Sequence, residues 1–158
     1  MKKGVIGILS LLAGAAGGVI AEGRIAGKKT ETEMGYAKKH LELFLMMNQW
    51  VKVKQDGKNL AAYFEKNGYY KIAVYGMSYA GQTLLDELLD SDVKVMYGID
   101  KKASTMFSEI EVVSAEADLD EVDAIVVTAI TYFDEIEEML SKKVTCPIVS
   151  LEDVIHEV

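Results

Sequence analysis

The segment KIAVYGMSYAGQTLLDELLDSDVKVMYGID, Lys71–Asp100, predicts a strand, a glycine turn, a helix and a second strand that closes on an acidic residue. This order is typical of the first unit of a nucleotide-binding α/β sheet. The ideal turn is G-x-G-x-x-G, but Ser78 stands where the second glycine belongs. Its side chain hinders the closest approach of a pyrophosphate, whereas its hydroxyl can donate to a single phosphate or a shifted ligand.

Strands and helices continue to alternate after this segment. We predict further strands at 110–113, 124–128 and 148–150, and helices at 80–89, 133–140 and after the capping box that begins at Ser150. Thr131 and Asp134 are placed as a capping pair for the 133–140 helix. Because alternation implies right-handed crossovers between parallel strands, the predicted class is α/β, a Rossmann-like parallel sheet flanked by helices.

Three helical segments are predicted before the sheet: an N-terminal hydrophobic helix, an amphipathic helix over Glu33–Lys54 and a short helix over Leu60–Lys66. Met46, Met47 and Trp50 on the second helix either pack on their own domain or on a copy of this helix, or bind a partner protein. The predicted organisation is a membrane anchor or signal-like segment at 1–28, a helical linker or hairpin at 29–68, and a Rossmann-like domain at 69–158.

Gly4–Ala21 is a run of eighteen residues without a charge. As a helix it would span about 27 Å, just short of a hydrocarbon core. A membrane anchor is the favoured interpretation; a cleaved signal peptide and a buried or interfacial helix are the alternatives. Basic residues that follow the run predict a single-pass protein of the cell membrane with a cytoplasmic C-terminal domain. A ridge of small residues, Ser10, Gly14 and Gly18, suggests a homo-oligomer.

The charge distribution excludes some partners. Residues 1–58 hold ten Lys and Arg against five Asp and Glu, whereas residues 59–158 hold seven Lys against twenty Asp and Glu. The acidic part would repel nucleic acid. Since Arg24 is the only arginine, phosphate there must rely on backbone N–H groups, a helix N-terminus or a lysine. One cysteine and two histidines make a zinc site improbable, and no metal is predicted.

Ligands of such sheets bind beyond the carboxyl ends of the strands. Gly76, Ser78 and Gly81 would hold phosphate, and Asp100 would bind ribose hydroxyls because it follows Gly76 at near the usual separation of about 20 residues. The loop from Thr128 to Thr131 would close the pocket. The alternative is that the glycines serve packing and Asp100 caps the next segment. The predicted cofactor-binding residues are Gly76, Ser78, Tyr79, Gly81, Asp100, Thr128 and Thr131.

The sequence offers little for catalysis. Tyr97 and Lys101 have the Tyr-x-x-x-Lys spacing of short-chain dehydrogenases, but they fall on a strand and its loop, so the spacing is taken as accidental. An enzyme would need a proton-transfer group, for which the candidates are Tyr79, Tyr132 and Asp134. No catalytic residue is assigned.

The segments YGMSYAGQTLLDEL, VKVMYGID, IEVVS, VDAIVVTAI and PIVSLEDVI follow one another across roughly residues 71–155. In this order they resemble the Rossmann-like domain of bacterial surface-polysaccharide proteins, such as sugar acetyltransferases and membrane-bound nucleotide-sugar epimerase/dehydratases. The matching positions are Gly76, Ser78, Gly81, Asp100 and Asp123. The whole chain also resembles an uncharacterised family of small membrane-anchored proteins from Gram-positive bacteria.

The polysaccharide families carry a separate catalytic or acyl-transfer domain. No such domain is predicted in this chain, so the resemblance implies a binding or sensing module. The predicted function is therefore an accessory or regulatory module that binds a nucleotide or nucleotide-sugar, with the cofactor itself left unknown. One alternative is a small enzyme that uses NAD(P) or S-adenosylmethionine, an oxidoreductase, epimerase or methyltransferase. Another is a ligand-free scaffold that binds a partner protein through the 33–54 helix.

Overall fold

The computed structural model describes residues 34–105 and 108–158. Within these ranges the strands are β1 (Lys71–Tyr75), β2 (Lys94–Ile99), β3 (Val112–Val113), β4 (Ala124–Val127) and β5 (Ile148–Ser150). Residues 34–55 are helical and are called α1; the other α-helices are α2 (Ala61–Asn67), α3 (Tyr79–Leu88), α4 (Phe133–Leu140) and α5 (Leu151–Glu157). Short 3-10 helices cover Ala103–Thr105 and Ile130–Tyr132.

The strands form one sheet in the order β3-β2-β1-β4-β5, and every pair is parallel. The chain moves outward from β1 through β2 and β3, then returns to the other side of β1 for β4 and β5. This arrangement confirms the predicted α/β class with helices flanking a parallel sheet. It also places a crevice beside β1, where the strand order changes direction.

The sheet is covered on both faces because successive side chains of a strand point to opposite sides. On β1, Ile72 and Val74 face a core shared with α1, α2, α3 and α5, whereas Ala73 and Tyr75 face a core shared with α4. All four residues of β4 are buried, as expected for a strand with helices on both sides.

The compact unit that contains the sheet extends from Glu42 to Val158. It therefore includes residues that the sequence assigns to a helical linker. Met46, Trp50 and Phe64 are buried in the same core as Ile72, and Met47 is half-buried against it. Of the three interpretations of the α1 Met/Trp cluster, packing on its own domain is the observed one for Met46 and Trp50.

A buried carboxylate on α3 fixes this packing. Glu87 accepts hydrogen bonds from the Trp50 indole N–H at 2.6 Å and from the Leu60 backbone N–H at 2.7 Å. Lys54 forms an ion pair with the same carboxylate at 3.3 Å. One side chain therefore joins α1, the start of α2 and α3.

Two local predictions have different outcomes. The Ser150 cap is confirmed, since its hydroxyl accepts from the Glu152 N–H at 3.3 Å. The Thr131–Asp134 capping pair is wrong, because the 3-10 helix Ile130–Tyr132 leads directly into α4, whose cap is Tyr132 without a side-chain hydrogen bond.

The predicted membrane localisation is also corrected. Among the helices of residues 34–105 and 108–158, none combines the length and apolar composition that a membrane crossing requires. The segment predicted as an anchor, 4–21, and its small-residue ridge lie outside the described residues. The structure therefore gives no support for a single-pass membrane protein, and that assignment is not retained.

Candidate functional site

The turn after β1 is held by contacts that only a glycine permits. Gly76 has a φ of 94°, and a Cβ atom at this position would lie 2.6 Å from Thr128 Oγ1. Its N–H donates to the Ile99 carbonyl at 2.8 Å, and its carbonyl accepts from the Thr128 hydroxyl at 2.5 Å. Gly76 thus connects the ends of β1, β2 and β4.

Gly81 has a packing role in the first turn of α3. A Cβ atom there would collide with the Gly76 carbonyl oxygen. The absent side chain lets α3 begin directly against the turn, which agrees for Gly81 with the alternative that the glycines serve packing.

Asp100 lies at the end of β2 and faces the glycine turn. One carboxylate oxygen accepts from the Met77 N–H at 3.0 Å, and the other accepts from the Lys102 N–H at 2.8 Å. The carboxylate therefore ties the turn after β1 to the loop after β2. Each oxygen retains a lone pair for a ligand hydroxyl, since a carboxylate accepts about four hydrogen bonds.

The other predicted site residues are not all brought together. Ser78 is the exposed N-cap of α3 and makes no capping hydrogen bond with its side chain. Thr128 is buried, and its hydroxyl bonds to the backbone of β1 and Gly76. Tyr79 is 86% exposed, and Thr131 is exposed on the 3-10 helix before α4.

Asp123, which matched the polysaccharide-type pattern, lies at the amino ends of β1 and β4, away from the glycine turn. Its carboxylate accepts from the Tyr70 and Lys71 N–H groups at 2.9 and 2.7 Å. The residue secures the beginning of β1, so its role in this fold is structural.

A cavity of about 540 Å³ opens at the carboxyl edge of the sheet. It lies between the turn after β1, the loop after β2 and the segment that connects β4 to α4. The lining residues are Tyr75, Gly76, Ser78, Asp100, Lys101, Lys102, Ala129, Tyr132, Glu135, Ile136 and Met139. Three of the predicted site residues, Gly76, Ser78 and Asp100, are among them.

The cavity combines both signs of charge. Lys101 and Lys102 supply ammonium groups next to Asp100, and α4 contributes Glu135. Arg24, the only arginine of the chain, lies outside the described residues, so these lysines are the cationic side chains that line the cavity. An ammonium group binds phosphate as a point charge rather than as a bidentate fork.

Tyr75 is another lining residue of this cavity, and its side chain is buried. The side chain comes from the last residue of β1, and the residue is 4% exposed. Burial, and secondarily the charge of Asp100, raises the pKa of the Tyr75 hydroxyl above its ordinary value. The phenol is therefore harder to deprotonate than that of an exposed tyrosine.

Sequence reasoning missed five lining residues that carry much of this chemistry: Tyr75, Lys101, Lys102, Glu135 and Met139. The lysines had a usable signal, since they follow Asp100 directly at the end of a strand. Tyr75 had none, because an apolar strand gives the same pattern whether or not its tyrosine hydroxyl finds a partner.

The enzyme alternative requires a proton-transfer group in the cavity. Of the three proton-transfer candidates of the enzyme alternative, only Tyr132 lines it. Within residues 34–105 and 108–158, no group of three or more His, Cys, Asp and Glu side chains is placed to hold a metal ion.

Comparison with known proteins identifies the family. Residues 68–147, about half of the chain, match the family model described as C2185-like, N-terminal. The chain belongs to the C2185-like family. All residues that line the cavity of this C2185-like chain fall within the matched segment. No curated protein and no solved structure matches the sequence.

Proposed function

We propose that the cavity at the carboxyl edge of the sheet binds a nucleotide or nucleotide-sugar, and that the chain acts as a binding module rather than an enzyme. The observation that carries this proposal is the position of the cavity. It lies where the strand order changes direction, between a glycine turn and a carboxylate at the end of the neighbouring strand. Ligands of open parallel sheets bind at this point.

The chemistry of the lining supports a phosphorylated ligand with hydroxyl groups. Lys101 and Lys102 attract phosphate, and Ser78 can donate a hydrogen bond to it. Asp100 and Glu135 are acceptors for ligand hydroxyls. Ala129, Ile136 and Met139 supply the apolar wall that binding sites for small molecules usually have.

We also propose that the parallel sheet is Rossmann-like. The strand order β3-β2-β1-β4-β5 supports it. The resemblance of residues 71–155 to the domain of bacterial surface-polysaccharide proteins supports an accessory or regulatory role in cell-surface polysaccharide biosynthesis. That role would require the module to hold a nucleotide-sugar without transforming it.

The full-length protein should be melted alone and with UDP-glucose, NAD⁺, S-adenosylmethionine and coenzyme A. A probe present at a hundred times its dissociation constant should stabilise the fold by about 2.7 kcal/mol. For a chain of this size that corresponds to a rise in melting temperature of roughly 5–10 °C. Uridine and adenosine, which lack phosphate, should produce a smaller rise.

A charge-matched pair of variants assigns the phosphate contact. The double variant Lys101→Ala/Lys102→Ala should lose most of the probe-induced rise. The control is Lys66→Ala/Lys142→Ala, which removes two exposed lysines outside the cavity. Equal rises in both variants would show that the lysines of the cavity hold no phosphate, and an unchanged melt of the wild type with every probe would refute nucleotide binding.

A further inference from the structure

Two buried tyrosines on the α4 face of the sheet differ in the hydrogen bonding of their hydroxyl groups. Tyr75 and Tyr97 are 4% and 6% exposed and belong to the same core cluster. The Tyr97 hydroxyl donates to the Asp120 carbonyl at 2.7 Å. Within residues 34–105 and 108–158, the Tyr75 hydroxyl has no hydrogen-bond partner.

A buried hydroxyl without a partner is unfavourable, because it has lost its bonds to water and gained none from the protein. Phenylalanine at position 75 would fill the same space without this penalty. Since native proteins satisfy most buried polar side-chain atoms, an exception on a residue that lines a cavity calls for an explanation, and a ligand in that cavity is one.

We propose that the Tyr75 hydroxyl hydrogen-bonds a sugar hydroxyl of the ligand. This inference rests on the proposed binding of a nucleotide or nucleotide-sugar in the same cavity. It assigns the phosphate to Lys101 and Lys102, and the sugar to Tyr75, Asp100 and Glu135.

The surroundings of Tyr75 favour a sugar hydroxyl over a second phosphate. Asp100 and Glu135 line the cavity with carboxylates, which accept hydrogen bonds from hydroxyl groups, whereas the phosphate needs the charge of Lys101 and Lys102. The charge of Asp100 also helps to keep the Tyr75 phenol neutral. A sugar hydroxyl satisfies both groups, because it can accept from the phenol and donate to a carboxylate.

Contact requires a small movement, since the Tyr75 hydroxyl is sealed from solvent. Met139 lines the cavity, packs against the core cluster that contains Tyr75, and is only partly buried. Its unbranched side chain can rearrange at little energetic cost.

The test compares Tyr75→Phe with Tyr97→Phe in the full-length protein, using UDP-glucose and NAD⁺ as probes. Tyr75→Phe should leave the melting temperature without probe unchanged or higher, and should weaken binding of the probe about three- to tenfold, as loss of one neutral hydrogen bond predicts. Tyr97→Phe should lower the melting temperature and leave the dissociation constant unchanged. Repeating the comparison with UDP, which lacks the hexose, identifies the sugar. If Tyr75 contacts the hexose, Tyr75→Phe and the wild type should bind UDP equally well. If Tyr75 contacts the ribose, Tyr75→Phe should still bind UDP more weakly.

Other outcomes overturn the inference in distinguishable ways. Unchanged affinity in Tyr75→Phe, with binding by the wild type, would refute the sugar contact and leave the proposed function intact. Equal losses of affinity in both variants would show a general effect of core tyrosines, and a marked drop in the melting temperature of Tyr75→Phe would show that its hydroxyl stabilises the fold. Failure of the wild type to bind either probe would refute the proposed function and this inference together.

Discussion

At Gly81 we expect the usual preference of helices for alanine over glycine to be reversed. Alanine stabilises a helix by up to about 1 kcal/mol relative to glycine, and Gly81 lies within α3. The Gly76 carbonyl oxygen, however, occupies the space that the new methyl group would need. Because that neighbour is backbone in a constrained turn, it has little freedom to move away.

We therefore expect Gly81→Ala to lower the free energy of unfolding by about 1–3 kcal/mol, the range for overpacking. The control is Gly35→Ala, since Gly35 is helical and a Cβ atom there meets nothing within 4 Å. That variant should be neutral or slightly stabilising. Urea unfolding measures both, and a stabilised Gly81→Ala would contradict the packing of α3 against the turn.

Residue types in the turn could be predicted, but their partners could not. Spacing alone identified Gly76, Ser78 and Asp100, which do line the cavity. The sequence predicts a ribose contact for Asp100, but it does not predict the Met77 and Lys102 N–H groups that its two oxygens also accept from. Such bonds depend on the relative position of two loops in the folded chain, which a single sequence does not predict.

At the level of elements, the periodicity of apolar residues predicts where several helices and strands begin and end. The bounds of α4 and β5 agree with the prediction, because each is a short apolar or amphipathic run between polar residues. β3 is shorter than predicted, beginning at Val112 rather than Ile110. Its length depends on pairing with β2, and only two of its residues pair.

The position of α1 depends on a contact that periodicity does not show. Glu87 is one of many acidic residues, and its sequence neighbours do not distinguish it from a solvated one. In the structure its side chain is 6% exposed and accepts from Trp50 and Leu60. The carboxylate thus specifies where α1 and α2 sit on α3.

Glu87→Ala should lower the free energy of unfolding by about 2–4 kcal/mol, because it leaves two buried N–H groups without acceptors. Glu87→Gln keeps a carbonyl oxygen and should lose about half as much. The control is Glu138→Ala, which removes an exposed ion pair with Lys142 and should leave the urea midpoint unchanged. Equal effects of Glu87→Ala and Glu138→Ala would show that the buried contact does not stabilise the fold.

For the whole molecule, the buried phenols make stability depend on alkaline pH. Burial is the main reason that the pKa values of Tyr63, Tyr75 and Tyr97 lie above the ordinary value of 10.0. Above pH 10 the unfolded chain loses these protons before the folded chain does. The folded state then binds more protons, so stability falls as pH rises.

We expect the urea midpoint to be insensitive to these groups below about pH 9 and to decline from about pH 10 upward. Tyr97→Phe should be less stable at neutral pH yet lose less stability between pH 9 and pH 11, because one titrating phenol is gone. Equilibrium unfolding across this range tests both statements. A midpoint that rises with pH would contradict the direction of the three pKa shifts.

The sheet ends on two very short strands, β3 with two residues and β5 with three. An exposed strand edge is a template on which another chain can add a strand, and long flat edges of this kind lead to fibrils. Edges this short offer few free N–H and C=O groups. The native fold should therefore resist edge-to-edge growth at high concentration, and copies that do associate should meet through helical surfaces.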